Sequence, residues 1–159
     1  MTADPLVTPL LFDAILAASG NLVALDTDDP DEAVSQFRQL ALRSGRSIYL
    51  WDPVRGIRSL REPDVWVAGT QRLADALRYI LQSMHFGVYL FRGFSEQLRP
   101  PAPVLLRRIG RLRGGHARKL VLVGAPHEVP EDLRASFDPL PEVWRARQRP
   151  RLRDGRWMG

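Results

Sequence analysis

The stretch Gly87-Val88-Tyr89-Leu90-Phe91-Arg92-Gly93-Phe94 constrains the fold more than any other part of the sequence. It is apolar, rich in aromatic and β-branched residues, too short for a helix and bounded by glycines. These properties predict a strand that is buried on both faces, as in a parallel sheet covered by helices. The rest of the chain must therefore supply helices for both sides of a sheet in which this strand lies near the middle.

Strand and helix patterns alternate on either side of this segment. Strands are predicted at 21–26, 47–51 and 119–125, and helices at 8–18, 30–44, 71–84, 104–113 and 131–137. Alternation of this kind is typical of parallel sheets with right-handed crossovers. The sequence therefore predicts an α/β three-layer sandwich with a mostly parallel sheet of four or five strands.

Several local predictions depend on single residues. Asp29 or Thr27 can cap the helix that Pro30 opens, because both side chains accept hydrogen bonds from backbone amides. Thr70 is predicted to cap the next helix, whose apolar stripe is Leu73, Leu77, Ile80, Leu81 and Met84. A small hairpin is predicted between residues 56–60 and 65–67.

Length and composition limit the class of protein. The 159 residues suit one main domain, which we divide into an N-terminal helix (1–20), an α/β domain (21–141) and a basic tail rich in Pro, Arg and Trp (142–159). The absence of cysteine excludes disulfides and thiolate metal sites. No apolar run approaches the roughly 20 residues that span a bilayer, and the first residues lack the positive charge of a secretory signal. We expect a cytoplasmic protein without a membrane partner.

Charge is divided along the chain. Every charged residue from Met1 to Gln36 is acidic, whereas every one between Glu96 and Glu128 is basic. This division could serve nucleic-acid binding, or head-to-tail stacking of copies in a homo-oligomer, or it could be a solvated arginine-rich surface. The candidate interaction residues are Asp26, Asp28 and Asp29 on an acidic face, Arg107, Arg108, Arg111 and Arg113 on a basic face, and Trp144 and Trp157 as anchors in the tail.

The acidic residues at predicted strand ends are also a candidate magnesium site. Asp26, Asp28, Asp29 and Asp52 follow two strands, and carboxylate oxygens are the ligands that Mg²⁺ prefers. Asp26-Thr27-Asp28 resembles the nucleophile strand of haloacid dehalogenase phosphatases at that point alone. The lysine and the later acidic pair of those enzymes have no counterpart, so helix capping is the favoured interpretation and no metal is predicted.

Two other chemistries lack complete motifs. The segment from Gly110 to Ala117 approaches a P-loop but has neither its lysine nor its hydroxyl residue, and it follows a helix instead of a strand. His85, His116 and His127 are scattered, with no i, i+4 pair and no evident Ser/His/Asp set. The sequence therefore predicts no catalytic residue and no cofactor.

Several stretches, in the same order, resemble a known family. They are Leu25-Asp26-Thr27-Asp28, Tyr49-Leu50-Trp51-Asp52, Val88 to Phe94, Arg107 to Arg113, Leu120 to Pro126, and Phe137-Asp138-Pro139-Leu140-Pro141. Together they are similar to the N-terminal domain of the bacterial and chloroplast-encoded AAA-type ATPases first described as hypothetical chloroplast reading frames. The resemblance covers residues 21 to 141. It departs from the family at Gly93, which stands where the family tends to have an acidic residue between Arg92 and Phe94.

The resemblance implies a degenerate P-loop NTPase fold that has lost its nucleotide motifs and belongs beside a catalytic AAA module. The function that follows is a non-enzymatic interaction or regulatory domain, which works in an oligomer or with an AAA ATPase partner. Two alternatives remain open. One is a nucleic-acid-binding accessory protein that uses the arginine-rich face, and the other is a Mg²⁺-dependent phosphate-handling enzyme that uses Asp26, Asp28 and Asp52.

Overall fold

The computed structural model describes residues 7–113 and 118–140. Within these residues the strands are β1 (Leu22–Asp26), β2 (Ile48–Asp52), β3 (Gly56–Ser59), β4 (Gly87–Phe91), β5 (Arg118–Gly124) and β6 (Asp138–Pro139). They form one sheet in the order β3-β2-β4-β5-β1-β6, and β3 alone is antiparallel to its neighbour. The mostly parallel sheet is confirmed. The prediction of four or five strands missed β6, which pairs with β1 over two residues only.

Helices cover both faces of the sheet. They are α1 (Val7–Ala17), α2 (Pro30–Ser44), α3 (Leu73–Gln82), α4 (Ala102–Gly110) and α5 (Glu131–Arg134). The core on one face contains Phe12 of α1 and Phe37 of α2, and the core on the other contains Leu77 of α3 and Ile109 of α4. The predicted α/β three-layer sandwich is therefore confirmed.

Strand β4 occupies the interior position that the sequence predicted for it. All five of its residues are buried, and β2 and β5 pair with it on either side. Its aromatic residues stack on those of β2, with ring centroids 4.9 Å apart for Tyr89 and Tyr49 and 5.3 Å apart for Phe91 and Trp51. These cross-strand pairs tie the middle of the sheet to the β2 side.

Helix α2 shows why a strong local pattern is sufficient for prediction. Its buried residues are Ala33, Val34, Phe37, Leu40 and Ala41, as the helical spacing indicated. The Asp29 side chain accepts a hydrogen bond from Glu32 N at 3.1 Å, so Asp29 is the cap. Gly45 ends the helix in the left-handed conformation, with φ of 69°.

The predicted cap of α3 is wrong. The N-cap residue is Arg72, without a side-chain bond, because the Thr70 hydroxyl is used elsewhere. Thr70 Oγ1 accepts from Ile57 N at 2.9 Å and donates to Val67 O at 2.7 Å. Since the Ile57 amide is buried, its need for an acceptor takes precedence over capping of a helix that begins three residues after Thr70.

The end of α3 and the predicted hairpin also differ from expectation. Helix α3 stops at Gln82, and Arg118 donates to the carbonyls of Ile80 and Leu81 at 3.2 and 3.3 Å. Met84, which was predicted to belong to the apolar stripe, therefore lies beyond the helix and is 70% exposed.

Segments 56–60 and 65–67 are joined by backbone hydrogen bonds, with one bridge between Arg58 and Trp66. The longer antiparallel pairing of β3 with β2 was not predicted.

Burial of Tyr89 predicts a loss of stability in alkaline solution. Burial raises the pKa of its hydroxyl to about 12, whereas an unfolded chain ionises near pH 10. The stabilisation is fully present below pH 10 and is lost as pH rises from 10 to about 12, by about 2 kcal/mol. Urea unfolding across this range should show wild type losing more stability than Tyr89→Phe; parallel curves for the two proteins would refute this assignment.

Candidate interaction surfaces

The carboxyl ends of the parallel strands form the edge where ligands of open α/β sheets bind. From β1 the chain crosses through α2 to β2 on one side, and from β5 it crosses through α5 to β6 on the other. Strands β1 and β5 are neighbours, with Asp26 opposite Gly124. The topological switch point, which is the usual ligand position, therefore lies beyond these two residues.

The chain's own side chains occupy this switch point. Arg134 Nη2 of α5 lies 2.6 Å from Asp26 Oδ2, and its Nη1 donates to Pro126 O at 3.2 Å. Glu128 Oε2 accepts from Ala125 N at 2.7 Å. Asp26 is thus held in an ion pair within the domain. This role differs from the capping role favoured from the sequence, and no local pattern relates Asp26 to an arginine 108 residues away.

The other acidic residues of the candidate magnesium site have separate roles. Asp52 Oδ1 accepts from Val54 N and Arg55 N at 2.9 Å, and its Oδ2 lies 3.1 Å from Arg58 Nη1. Asp29 caps α2, and Asp28 is exposed in the turn before it. Among residues 7–113 and 118–140, no group of three or more His, Asp or Glu side chains is arranged to hold a metal ion.

The two residues that follow β4, Arg92 and Gly93, contact the segments on either side of it. Arg92 forms an ion pair with Asp31 in the first turn of α2. Gly93 has φ of 66°, and a Cβ there would lie 3.1 Å from Pro53 Cδ. A glycine suits both the left-handed backbone and the close approach of the β2–β3 turn. The end of β4 therefore contacts the β2–β3 turn through Gly93 and the first turn of α2 through Arg92.

The four candidate arginines of the basic face point in different directions. Arg107 Nη2 lies 4.0 Å from Asp132 Oδ2 of α5, and Arg113 is exposed beyond the end of α4. Arg108 and Arg111 line a cleft between α3 and α4. The structure therefore brings two of the four predicted residues into one site.

This cleft, which we call the arginine cleft, has a volume of about 530 Å³. Its lining is formed by Arg78, Leu81, Gln82, Leu105, Arg108, Arg111 and Leu112. Arg78 was not predicted from the sequence; it lies 30 residues from Arg108 and pairs with Asp75 at 3.1 Å. Because Arg78 directly follows the buried Leu77, helical spacing alone could have placed it on the exposed, polar side of α3. An apolar floor with an arginine rim suits a ligand that carries both carboxylates and apolar groups.

Two other basic residues of the 96–128 segment turn inward. Lys119 is buried, and its Nζ donates to Ala18 O at 2.7 Å and Gly20 O at 2.6 Å. Burial lowers the pKa of Lys119, and the opposing effect of Asp138 is smaller. Arg118 holds the end of α3, as described above. These two cations stabilise helix ends and do not contribute to the arginine cleft.

The arginine cleft and the acidic residues lie at opposite edges of the sheet. Asn21 Nδ2 donates to Ile109 O at 3.0 Å and to Leu112 O at 2.9 Å, which places the end of α4 at the start of β1. Arg118, the first residue of β5, likewise holds the end of α3. The acidic turn, defined as Asp28, Asp29, Asp31 and Glu32, follows the other end of β1.

The remaining candidate residues fall into two groups, those outside the described residues and those placed elsewhere on the domain. Trp144, Trp157, His116 and the Gly114–Ala117 part of the P-loop-like segment lie outside the described residues. His85 and His127 are exposed, and Gly110 packs against Leu22. None of the described helices is long and apolar enough to cross a membrane.

The fold defines the class of this protein as a three-layer α/β domain with a mostly parallel sheet. A family model for the N-terminal domain of SpoVK-like AAA ATPases matches residues 10–140. The chain therefore belongs to this family of AAA ATPase N-terminal domains, which confirms the resemblance found in the sequence. No curated protein and no solved structure matches the chain.

Proposed function

We propose that this chain is a non-catalytic interaction and regulatory domain that acts with an AAA ATPase module in the cytoplasm. Membership of the SpoVK-like family supports the association with an AAA module. The arginine cleft supports the interaction role, because arginine rims around an apolar floor are favourable positions for binding a protein partner.

The observation that carries the proposal is the occupied switch point between β1 and β5. In a P-loop NTPase, backbone amides and a lysine cradle phosphates between a strand and the following helix. In this chain the corresponding junction is Asp26-Thr27-Asp28-Asp29, and it offers acidic side chains in place of glycine and lysine. Arg134 is already paired with Asp26, and Asp29 already caps the helix. We interpret the fold as a degenerate P-loop domain in which the negative charge of this junction disfavours phosphate binding.

Calorimetric titration of the full chain with ATP and Mg²⁺ tests this proposal. We expect no saturable binding and no rise in Tm with either ligand, because the acidic turn repels phosphate and Asp26 and Asp52 are paired with arginines. Asp26→Asn is the matched variant, since it keeps the shape of the side chain and removes its charge.

Stoichiometric binding of MgATP by wild type would contradict the non-catalytic proposal. A rise in Tm with Mg²⁺ that Asp26→Asn abolishes would also contradict it, and would favour the phosphate-handling alternative instead.

One observation favours nucleic-acid binding as a second candidate function. Arg78, Arg108 and Arg111 place three guanidinium groups around one cleft, and such a cluster attracts a phosphate backbone. The apolar floor of leucines favours a protein ligand, because stacking of unpaired bases depends on aromatic side chains. We therefore rank protein binding first, and treatment with nuclease separates the two functions.

A further inference from the structure

The geometry points to a particular partner for the arginine cleft, namely the acidic turn of a second copy of this chain. Copies would then associate head to tail. This inference rests on the proposed interaction function and names one partner for it. Contacts with an AAA module can persist if self-association fails, so the two proposals can be tested separately.

The arginine cleft and the acidic turn carry opposite charges. Within the described residues, Arg108 and Arg111 have no ion-pair partner, and Arg78 pairs only with the half-buried Asp75 of its own helix. On the other side of the proposed contact, Asp28 is exposed, and Asp29 uses one carboxylate oxygen, Oδ1, for capping. Guanidinium groups bind carboxylates through paired hydrogen bonds, so the two surfaces are chemically matched.

The two surfaces also carry apolar side chains that can pack together. Such packing is needed because exposed ion pairs alone contribute little binding free energy. The floor of the cleft contains Leu81, Leu105 and Leu112. Val54 is 80% exposed, and its neighbour Pro53 packs on Gly93, next to the Arg92–Asp31 ion pair. Val54 therefore exposes an apolar side chain on the carboxyl edge, the edge that also carries the acidic turn, and it can cover the leucines of a neighbouring copy.

The positions of the two surfaces on the sheet prevent them from meeting within one chain. The cleft lies at the amino edge of the sheet and the acidic turn at the carboxyl edge, separated by the length of β1, roughly 15 Å. A chain cannot fill its own cleft with this turn, because both are held on the same rigid sheet. Two different surfaces that bind each other produce a heterologous contact, which leads to a ring or a filament.

Two charge variants of the full chain test the inference by sedimentation velocity. Asp28→Arg with Asp29→Asn replaces the two exposed carboxylates at the start of the acidic turn and keeps a residue able to cap α2. Arg108→Glu with Arg111→Glu reverses two of the three positive charges of the arginine cleft. Arg38→Glu with Arg43→Glu, on the later turns of α2, is the charge-matched control. Circular dichroism checks that each protein is folded.

We expect wild type and the control to associate as concentration rises, and more weakly as salt increases from about 0.01 to 0.15 M. Each cleft or acidic-turn variant alone should stay monomeric over a hundredfold range of concentration. An equimolar mixture of the two should form a dimer, since one retains the cleft and the other the acidic turn. Val54→Ser, which leaves every charge in place, should weaken wild-type association about tenfold, as loss of an apolar contact predicts.

A wild-type chain that remains monomeric at low salt would overturn the inference, as would a mixture of the two variants that remains monomeric. Association of the cleft variant alone with wild-type strength would also overturn it. If self-association fails while Arg108→Glu with Arg111→Glu still abolishes contact with an AAA ATPase, the proposed function stands and only the second copy is excluded as partner.

Discussion

Replacing Trp51 with alanine is expected to lower the free energy of unfolding by about 4 kcal/mol, because it removes a large, fully buried side chain from the core. The indole stacks on Phe91 of the central strand, and its Nε1 donates to Thr70 O at 2.7 Å. The substitution therefore leaves a cavity beside β4 and an unpaired carbonyl in the loop before α3.

Urea unfolding monitored by circular dichroism measures this effect, with the midpoint lowered and the slope unchanged. Trp51→Phe is the matched control, because it retains an aromatic ring against Phe91 and loses the bond to Thr70 with only part of the buried volume. Its expected cost is about 1.5 kcal/mol. Equal costs for the two substitutions would show that the hydrogen bond, and not the stacked core, determines the stability of this region.

Replacing Gly56 with alanine is expected to lower the free energy of unfolding by about 3 kcal/mol. Gly56 has φ of 74°, a conformation that costs a non-glycine residue roughly 1–2 kcal/mol. A Cβ at this position would also overlap Thr70 Oγ1 and lie 3.0 Å from the Thr70 carbonyl carbon. Relief of this overlap would break the bond between Thr70 and Ile57 N, which adds a further cost of about 1 kcal/mol.

Gly69→Ala is the control for the backbone part of this effect. Gly69 has φ of 76°, but a Cβ there would meet no atom within 4 Å. The measurement is the difference in chemical unfolding free energy between the two alanine variants, and we expect Gly56→Ala to be less stable by at least about 1 kcal/mol. Equal losses would indicate that Thr70 moves aside without cost, contrary to its bonding role.

Helix α2 and strand β4 could be predicted from sequence because their signals are local. Five apolar residues at helical spacing and a glycine after Ser44 define α2, and an uninterrupted apolar run defines β4. Thr70 was assigned incorrectly because its type and position suit a helix cap equally well. Its actual partner, Ile57 N, depends on the fold of the β2–β3 corner, which the local sequence does not show.

The candidate site could be predicted only in part for the same reason. The spacing of Arg108 and Arg111 indicated one exposed side of α4, but Arg78 joins them only because α3 packs against α4. Arg107, from the same arginine-rich segment, lies toward Asp132. The ion pair of Asp26 with Arg134 depends on the crossover that carries α5 past β1. Pairings between distant segments of this kind follow from topology, and helical periodicity does not reveal them.

Affinity capture from native lysate with the tagged full chain, with and without nuclease, tests the central claim most directly. Mass spectrometry should recover an AAA ATPase that resists nuclease and that is lost with Arg108→Glu and Arg111→Glu but retained with Arg38→Glu and Arg43→Glu. Recovery of nucleic-acid-binding proteins alone, all removed by nuclease, would contradict the interaction function and support the nucleic-acid alternative.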